Sequence, residues 1–128
     1  MKYLLDTHVL LWLASASHRI PPNTRELLEE PTAELIFSVV NLWEIVIKAS
    51  LERQDFQVDI RILRRTLLDN GYSELPVLAE HVMAVAGLPD IHRDPFDRLL
   101  IAQAVAEGIL FLTADSQIAR YPGPIRVV

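Results

Sequence analysis

Residues 94–112 read Asp94-Pro95-Phe96-Asp97-Arg98-Leu99-Leu100-Ile101-Ala102-Gln103-Ala104-Val105-Ala106-Glu107-Gly108-Ile109-Leu110-Phe111-Leu112, and this stretch decides the fold class. Asp94 is a natural N-cap, Pro95 is pre-organised for the first helical position, and Gly108 stops the helix after Glu107. Ile109 to Leu112 then form a continuous apolar run that reads as a buried strand. A helix feeding a strand apolar on both faces is half of a parallel α/β unit.

The same alternation extends in both directions. Lys2 to Leu5 are a short buried strand ending at Asp6, and Val9 to Ala14 start a helix. Pro21 and Pro22 introduce a second helix, in which Leu27 and Leu28 sit among charged residues. Leu35 to Val40 are strand-like, a helix runs from about Asn41 to about Arg53, and another covers about Val58 to Asp69 before Asn70-Gly71. Tyr72 to Val77 form a short strand that Pro76 assigns to an edge. Leu78 to Ala86 read as a helix, Ser116 to Tyr121 as a helical turn and Ile125 to Val128 as a last strand. The expected architecture is a single α/β domain over residues 1–128, a three-layer sandwich with a central, mainly parallel sheet flanked by helices.

Composition narrows the function. The 128 residues are 51% hydrophobic and 23% charged, enough apolar surface for one core and too much for a disordered chain. Without cysteine there is no disulfide, thiolate zinc site or cysteine nucleophile. The net charge of −5 excludes capture of nucleic acid by overall charge while permitting a local basic surface. No apolar run approaches the roughly 18 residues of a membrane span, and the N-terminus lacks the features of a secretory signal. The chain is expected to be cytoplasmic.

In parallel sheets ligands bind beyond the C-terminal ends of the strands, and four acids fall in such places. Asp6 and Asp115 each follow a strand, and each has an alternative as a cap for the next turn. Glu44 lies just inside the helix after Leu35–Val40. Asn41 and Glu44 fit a variant capping box, and Glu44 pairs with Lys48 at i, i+4. The helix is apolar nearly all round, through Trp43, Ile45, Val46 and Ile47, and is expected to be buried, so that its polar stripe of Asn41, Glu44 and Lys48 faces a cleft as easily as bulk water. Asp97 is a first-turn acid favoured by the helix dipole, yet it shares its face with Leu100, Ile101 and Ala104. A carboxylate on an inward face needs a partner or a cation.

If the four converge, each pair at about 5 Å repels by roughly 3 kcal/mol at an effective dielectric of 20, so a cation is required. Oxygen ligands favour Mg²⁺ or Mn²⁺ over zinc, and His8, His18, His81 and His92 have no short paired spacing. Carboxylates holding a divalent ion suit phosphodiester hydrolysis. No GxGxxG, GxxxxGK[ST] or GxSxG is present. An aspartyl phosphatase usually has a second Asp where this chain has His8.

Four ordered blocks, Leu4-Leu5-Asp6-Thr7-His8, Ser38 with Asn41-Leu42-Trp43-Glu44-Ile45, His92 through Ala102, and Leu112-Thr113-Ala114-Asp115, resemble the PIN-domain nucleases. They are similar in particular to VapC-type ribonuclease toxins of toxin–antitoxin modules. The resemblance spans essentially the whole chain. It implies that Asp6, Glu44, Asp97 and Asp115 form an acidic quartet for Mg²⁺ or Mn²⁺ and that RNA is cut by an activated water. Thr7, Ser38, Asp94 and Ser116 would support the site. Gln117 and Ile118 stand where many relatives add a polar or acidic residue, so the number of ions stays open.

A cognate antitoxin and a homodimer are the partners implied. Lys48, Arg93 and Arg98 are the candidate RNA-binding cations, while Arg61, Arg64 and Arg65 form a second basic cluster better read as solvated. Trp12 is either a contact residue or core. The alternative reading is a non-catalytic PIN-like module that binds RNA or protein. Against it, a binding module has no reason to gather repelling acids.

Overall fold

The computed structural model describes residues 1–15 and 17–128, Ser17 by its backbone alone. Five strands form one sheet: β1 (Lys2–Leu5), β2 (Glu34–Ser38), β3 (Ser73–Leu75), β4 (Leu110–Thr113) and β5 (Ile125–Val127). Their order is β3-β2-β1-β4-β5, and every pairing is parallel. Six α-helices accompany them among the described residues: α1 (Thr7–Ser15), α2 (Pro22–Glu29), α3 (Val39–Ser50), α4 (Ile60–Asp69), α5 (Ala79–Val85) and α6 (Pro95–Glu107). β3 lies at one edge, as expected, but is shorter than the Tyr72–Val77 run and stops at Leu75, just before Pro76, which cannot donate to the ladder.

Strand alternation builds the two cores. Tyr3 and Leu5 of β1, Phe37 of β2 and Leu112 of β4 point to one face, where Val9, Leu10, Leu28, Leu63 and Leu67 of α1, α2 and α4 cover them. Leu4, Ile36 and Phe111 point to the other, against Phe96, Leu100, Ile101 and Ala104 of α6. The period of two in buried strands thus produces the expected three layers. α3 serves both cores, with Val40 in one and Ile45 in the other.

Two expectations about α3 need correction. The helix begins at Val39, so β2 ends at Ser38 and not at Val40. Ser38 is the N-cap: its Oγ accepts the Val40 N–H at 3.0 Å, and Asn41 Oδ1 accepts the Ser38 N–H at 2.7 Å. This reciprocal cap overrides the strand preference of Val39 and Val40, and it puts Glu44 in the second helical turn. The helix is also not buried all round. Val40, Asn41, Glu44 and Ile45 face inward, while Val39, Trp43, Val46 and Ile47 are exposed, Trp43 by 50%.

α6 follows the sequence closely. Asp94 Oδ1 accepts the N–H groups of Phe96 and Asp97 at 2.9 and 3.1 Å, and Gly108 closes the helix at φ +67°, a left-handed conformation suited to glycine.

Candidate active site

The strand order fixes where a site can form. From β1 the chain moves outward through β2 to β3, then returns to β4 on the opposite side of β1. The crevice between the C-terminal ends of β1 and β4 is therefore the topological switch point. Asp6 directly follows β1, and Asp115 lies two residues beyond β4. Thr113, the last residue of β4, spans the crevice and donates its hydroxyl to Asp6 Oδ2 at 2.5 Å. The carboxylate of Asp6 is thereby turned to β4. Asp115 does both things its position allows: Oδ1 accepts the Gln117 N–H at 2.8 Å, and the residue lines the cleft.

Glu44 is held by a buried polar chain. Thr7 donates to Glu44 Oε1 at 2.5 Å, and Asn41 Nδ2 donates to Thr7 Oγ1 at 2.9 Å and to the Leu5 carbonyl at 3.1 Å. Asn41 is in turn fixed by the Ser38 N–H. Ser38 Oγ donates to Gln103 Oε1 at 2.5 Å, and Gln103 Nε2 donates to the Pro76 carbonyl at 3.2 Å and to His81 Nδ1 at 3.3 Å. His81 Nδ1 also accepts the Leu78 N–H, so its proton sits on Nε2 and is donated to Glu107 at 2.8 Å. Thr7, Ser38, Asn41, His81 and Gln103 are all fully buried. Among the described residues no buried side-chain polar atom lacks a partner.

The other oxygen of Glu44 takes the Lys48 ammonium at 2.6 Å, and Asp94 Oδ2 lies 3.6 Å from the same nitrogen. The i, i+4 pair read from the sequence therefore forms, inside a cleft. Lys48 also lies over the Phe56 ring at 5.2 Å. Burial works against its charge, but the Glu44 hydrogen bond and carboxylate hold its ammonium above the ordinary lysine range.

Asp97 completes the cluster with a partner the sequence did not announce. His92 Nε2 lies 2.7 Å from Asp97 Oδ2, and His92, Asp94 and Asp97 each offer a ligand atom within 4.8 Å of the others. Burial first, then the charge of Asp6, pushes Asp97 up to about 7; Asp94 and Glu44 add to this and the His92 hydrogen bond opposes it. Burial likewise raises Asp6, with the Thr113 hydrogen bond opposing and the Glu44 charge adding. Among the described residues no lysine or arginine comes within ion-pair distance of Asp6, Asp97 or Asp115. Converging, uncompensated carboxylates with one imidazole at the rim are a donor set suited to a divalent cation.

These acids line a cleft of about 860 Å³, together with Asp94, Lys48 and Ser116. Two of the expected RNA-binding cations are elsewhere. Arg98 spends its guanidinium on the Pro89 carbonyl at 2.9 Å, the Val85 carbonyl at 3.3 Å and the Tyr121 hydroxyl at 3.2 Å, stapling the segment before α6. Helical phase explains it: one position past Asp97, its side chain leaves by a different face. Arg93 is exposed and outside the cleft lining. In the second basic cluster, Arg64 makes a two-point pair with Glu74 on the surface.

The cleft instead gains Arg19, Trp12, His8, His18 and Asp55. Thr113 and His92 were inside the quoted motifs, yet nothing in their local pattern distinguished them as site residues, whereas Asn41 was already marked by the polar stripe it shares with Glu44 and Lys48. Trp12 is half-buried, packed against the core beneath α1 while also lining the cleft wall.

The comparisons agree with this geometry. The chain is 29% identical to Ribonuclease VapC22 of Mycobacterium tuberculosis, covering 97% of this chain and 96% of that protein. Among solved structures it resembles the VapBC2 complex of Rickettsia felis bound to a promoter DNA fragment, with a TM-score of 0.72 and 19% identity over 99% of this chain and 98% of that one. It also resembles the DNA-bound VapBC of Salmonella typhimurium, with a TM-score of 0.67 and 17% identity over 100% and 97% of the two chains. A sheet ordered 3-2-1-4-5, acids at its switch point and a match to the PIN domain over residues 3–124 together place this chain in the PIN domain family.

Proposed function

We propose that this chain is a metal-dependent endoribonuclease that hydrolyses RNA phosphodiester bonds, and that it is the toxin of a cytoplasmic toxin–antitoxin pair. The observation that carries the reading is the set formed by buried Asp6 and Glu44 and half-buried Asp97, in which burial and the neighbouring carboxylate charges raise Asp6 and Asp97 and a single lysine stands among the three. With Asp115 they would hold Mg²⁺ or Mn²⁺, which supplies charge neutralisation and a reactive water at neutral pH. The chain's own residues do the rest. Thr113 orients Asp6, Thr7 and Lys48 fix the two oxygens of Glu44, and Asp94 caps the helix that presents Asp97. Lys48 lines the cleft beside the acids as a cation available to an incoming phosphate, and Ser116 lines the same cleft.

Cleavage of RNA by the intact protein with Mg²⁺ or Mn²⁺, its loss in EDTA, and its loss in Asp6→Asn and Asp97→Asn test the reading. Equal cleavage by a folded double variant overturns it. The similarity to VapC and VapBC proteins supports a cognate antitoxin as partner. The exposed Val39, Trp43, Val46 and Ile47 on one side of α3 support a homodimer. In light scattering, Val46→Glu is expected to shift a dimer to monomer.

A further inference from the structure

The cleft has a second end that the acids do not use. His8, Leu11, Trp12 and Ser15 recur at the i, i+3, i+4 and i+7 spacing of one helical face, and all four line the cleft, as do His18 and Arg19 just beyond α1. Because α1 starts directly after Asp6, this face carries the wall outward from the acids. Six residues at 1.5 Å each place Trp12 about 9 Å along the axis from Asp6, within reach of a nucleotide adjoining a phosphate held there.

Trp12 is half-buried, with its ring flanked on two sides. The Arg19 guanidinium lies 5.9 Å from the ring centroid, and the His8 ring lies at 6.3 Å, inclined by 46°. His8 is anchored, with Nε2 3.0 Å from Asp55 Oδ2 and its ring edge-on to Phe56 at 5.3 Å. Arg19 is exposed on a flexible stem and, among the described residues, forms no ion pair with a carboxylate. The arrangement is a fixed aromatic shelf with a movable planar cation above it.

We infer that Trp12 and Arg19 form a stacking subsite for an unpaired RNA base next to the scissile phosphodiester. The inference rests on the nuclease reading and names how its substrate is held. An indole offers a large π face that accepts any base, and a guanidinium stacks on the base's other face while favouring its phosphate. Single-stranded RNA is the nucleic acid whose bases are free to enter such a slot. The shelf explains how an acidic protein holds its substrate: base stacking needs no net positive charge.

Trp43→Phe leaves Trp12 as the sole tryptophan of the two in the chain and keeps an aromatic ring against Phe96. In this background a single-stranded oligoadenylate is expected to quench tryptophan fluorescence, and an abasic ribose-phosphate chain of equal length is not. In steady-state RNA cleavage, Trp12→Leu should raise KM by roughly ten- to a hundredfold, the range of one base–aromatic stack. It should change kcat by less than about twofold, and Trp12→Phe should restore most of the loss. Equal quenching by the abasic chain, or equal KM for Trp12→Leu and wild type, overturns the subsite. Cleavage without base-dependent quenching removes the subsite alone. Base-dependent quenching with no cleavage of any RNA removes the nuclease reading alone.

Discussion

Replacing Asp97 by Asn in the metal-free protein should stabilise it at pH 8 and leave it unchanged near pH 4. Asn keeps an acceptor for His92 and removes a charge that the fold opposes. Asp97 is only 13% exposed and its carboxyl rises from 3.8 to about 7. At 1.36 kcal/mol per unit, that shift places on the order of 4 kcal/mol against the folded state once Asp97 is ionised. Because its folded pKa is raised, the native chain binds the proton more tightly than the unfolded chain. Stability is therefore highest below about pH 4, falls as pH rises toward 7 and is flat beyond. Urea denaturation in EDTA at several pH values measures this directly. The variant should exceed wild type by roughly 2–4 kcal/mol at pH 8, with the gap closing on acidification. Mn²⁺ at a hundred times its Kd should restore about 2.7 kcal/mol to wild type and much less to the variant. A variant less stable than wild type at pH 8, or a gap independent of pH, would refute burial together with the neighbouring carboxylates as the source of the shift.

Thr113→Val removes the hydroxyl that orients Asp6 at nearly constant volume, and should weaken Mn²⁺ binding by roughly ten- to a hundredfold in calorimetry. Gln103→Leu breaks the buried chain between Ser38 and His81. It should cost about 1–3 kcal/mol in urea denaturation and lower cleavage even though Gln103 is outside the cleft. Arg98→Ala should lower stability by about 1–3 kcal/mol while leaving the salt dependence of RNA binding unchanged. A phosphate-contacting residue would instead reduce that slope by about one.

Within a few residues, sequence signals were enough. Asp94 with Pro95, the stop at Gly108, and apolar runs of strand length gave α6, β4 and the alternating parallel architecture, because caps and periodicity act locally. The acids were legible for the same reason, since each follows a strand or opens a helix. Their local roles as caps also hid them: Asp94 and Asp115 cap and face the cleft at once. Ser38 shows the limit at close range, where a cap won over two β-branched valines.

What brings the site together is beyond local reading. Thr113 reaches Asp6 across 107 residues, and Ser38 reaches Gln103 across 65. His92 meets Asp97 in the segment before α6, which Arg98 staples through the Pro89 carbonyl. The sequence by itself determined the layers, the parallel sheet and the four acids. Only the tertiary structure decided that Thr113, Asn41 and His92 serve those acids, that Arg93 and Arg98 do not line the cleft, and that Trp12 does. The physical reason is the strand order: placing β1 beside β4 fixes which distant side chains share a crevice, and helical phase then decides which of their neighbours face it.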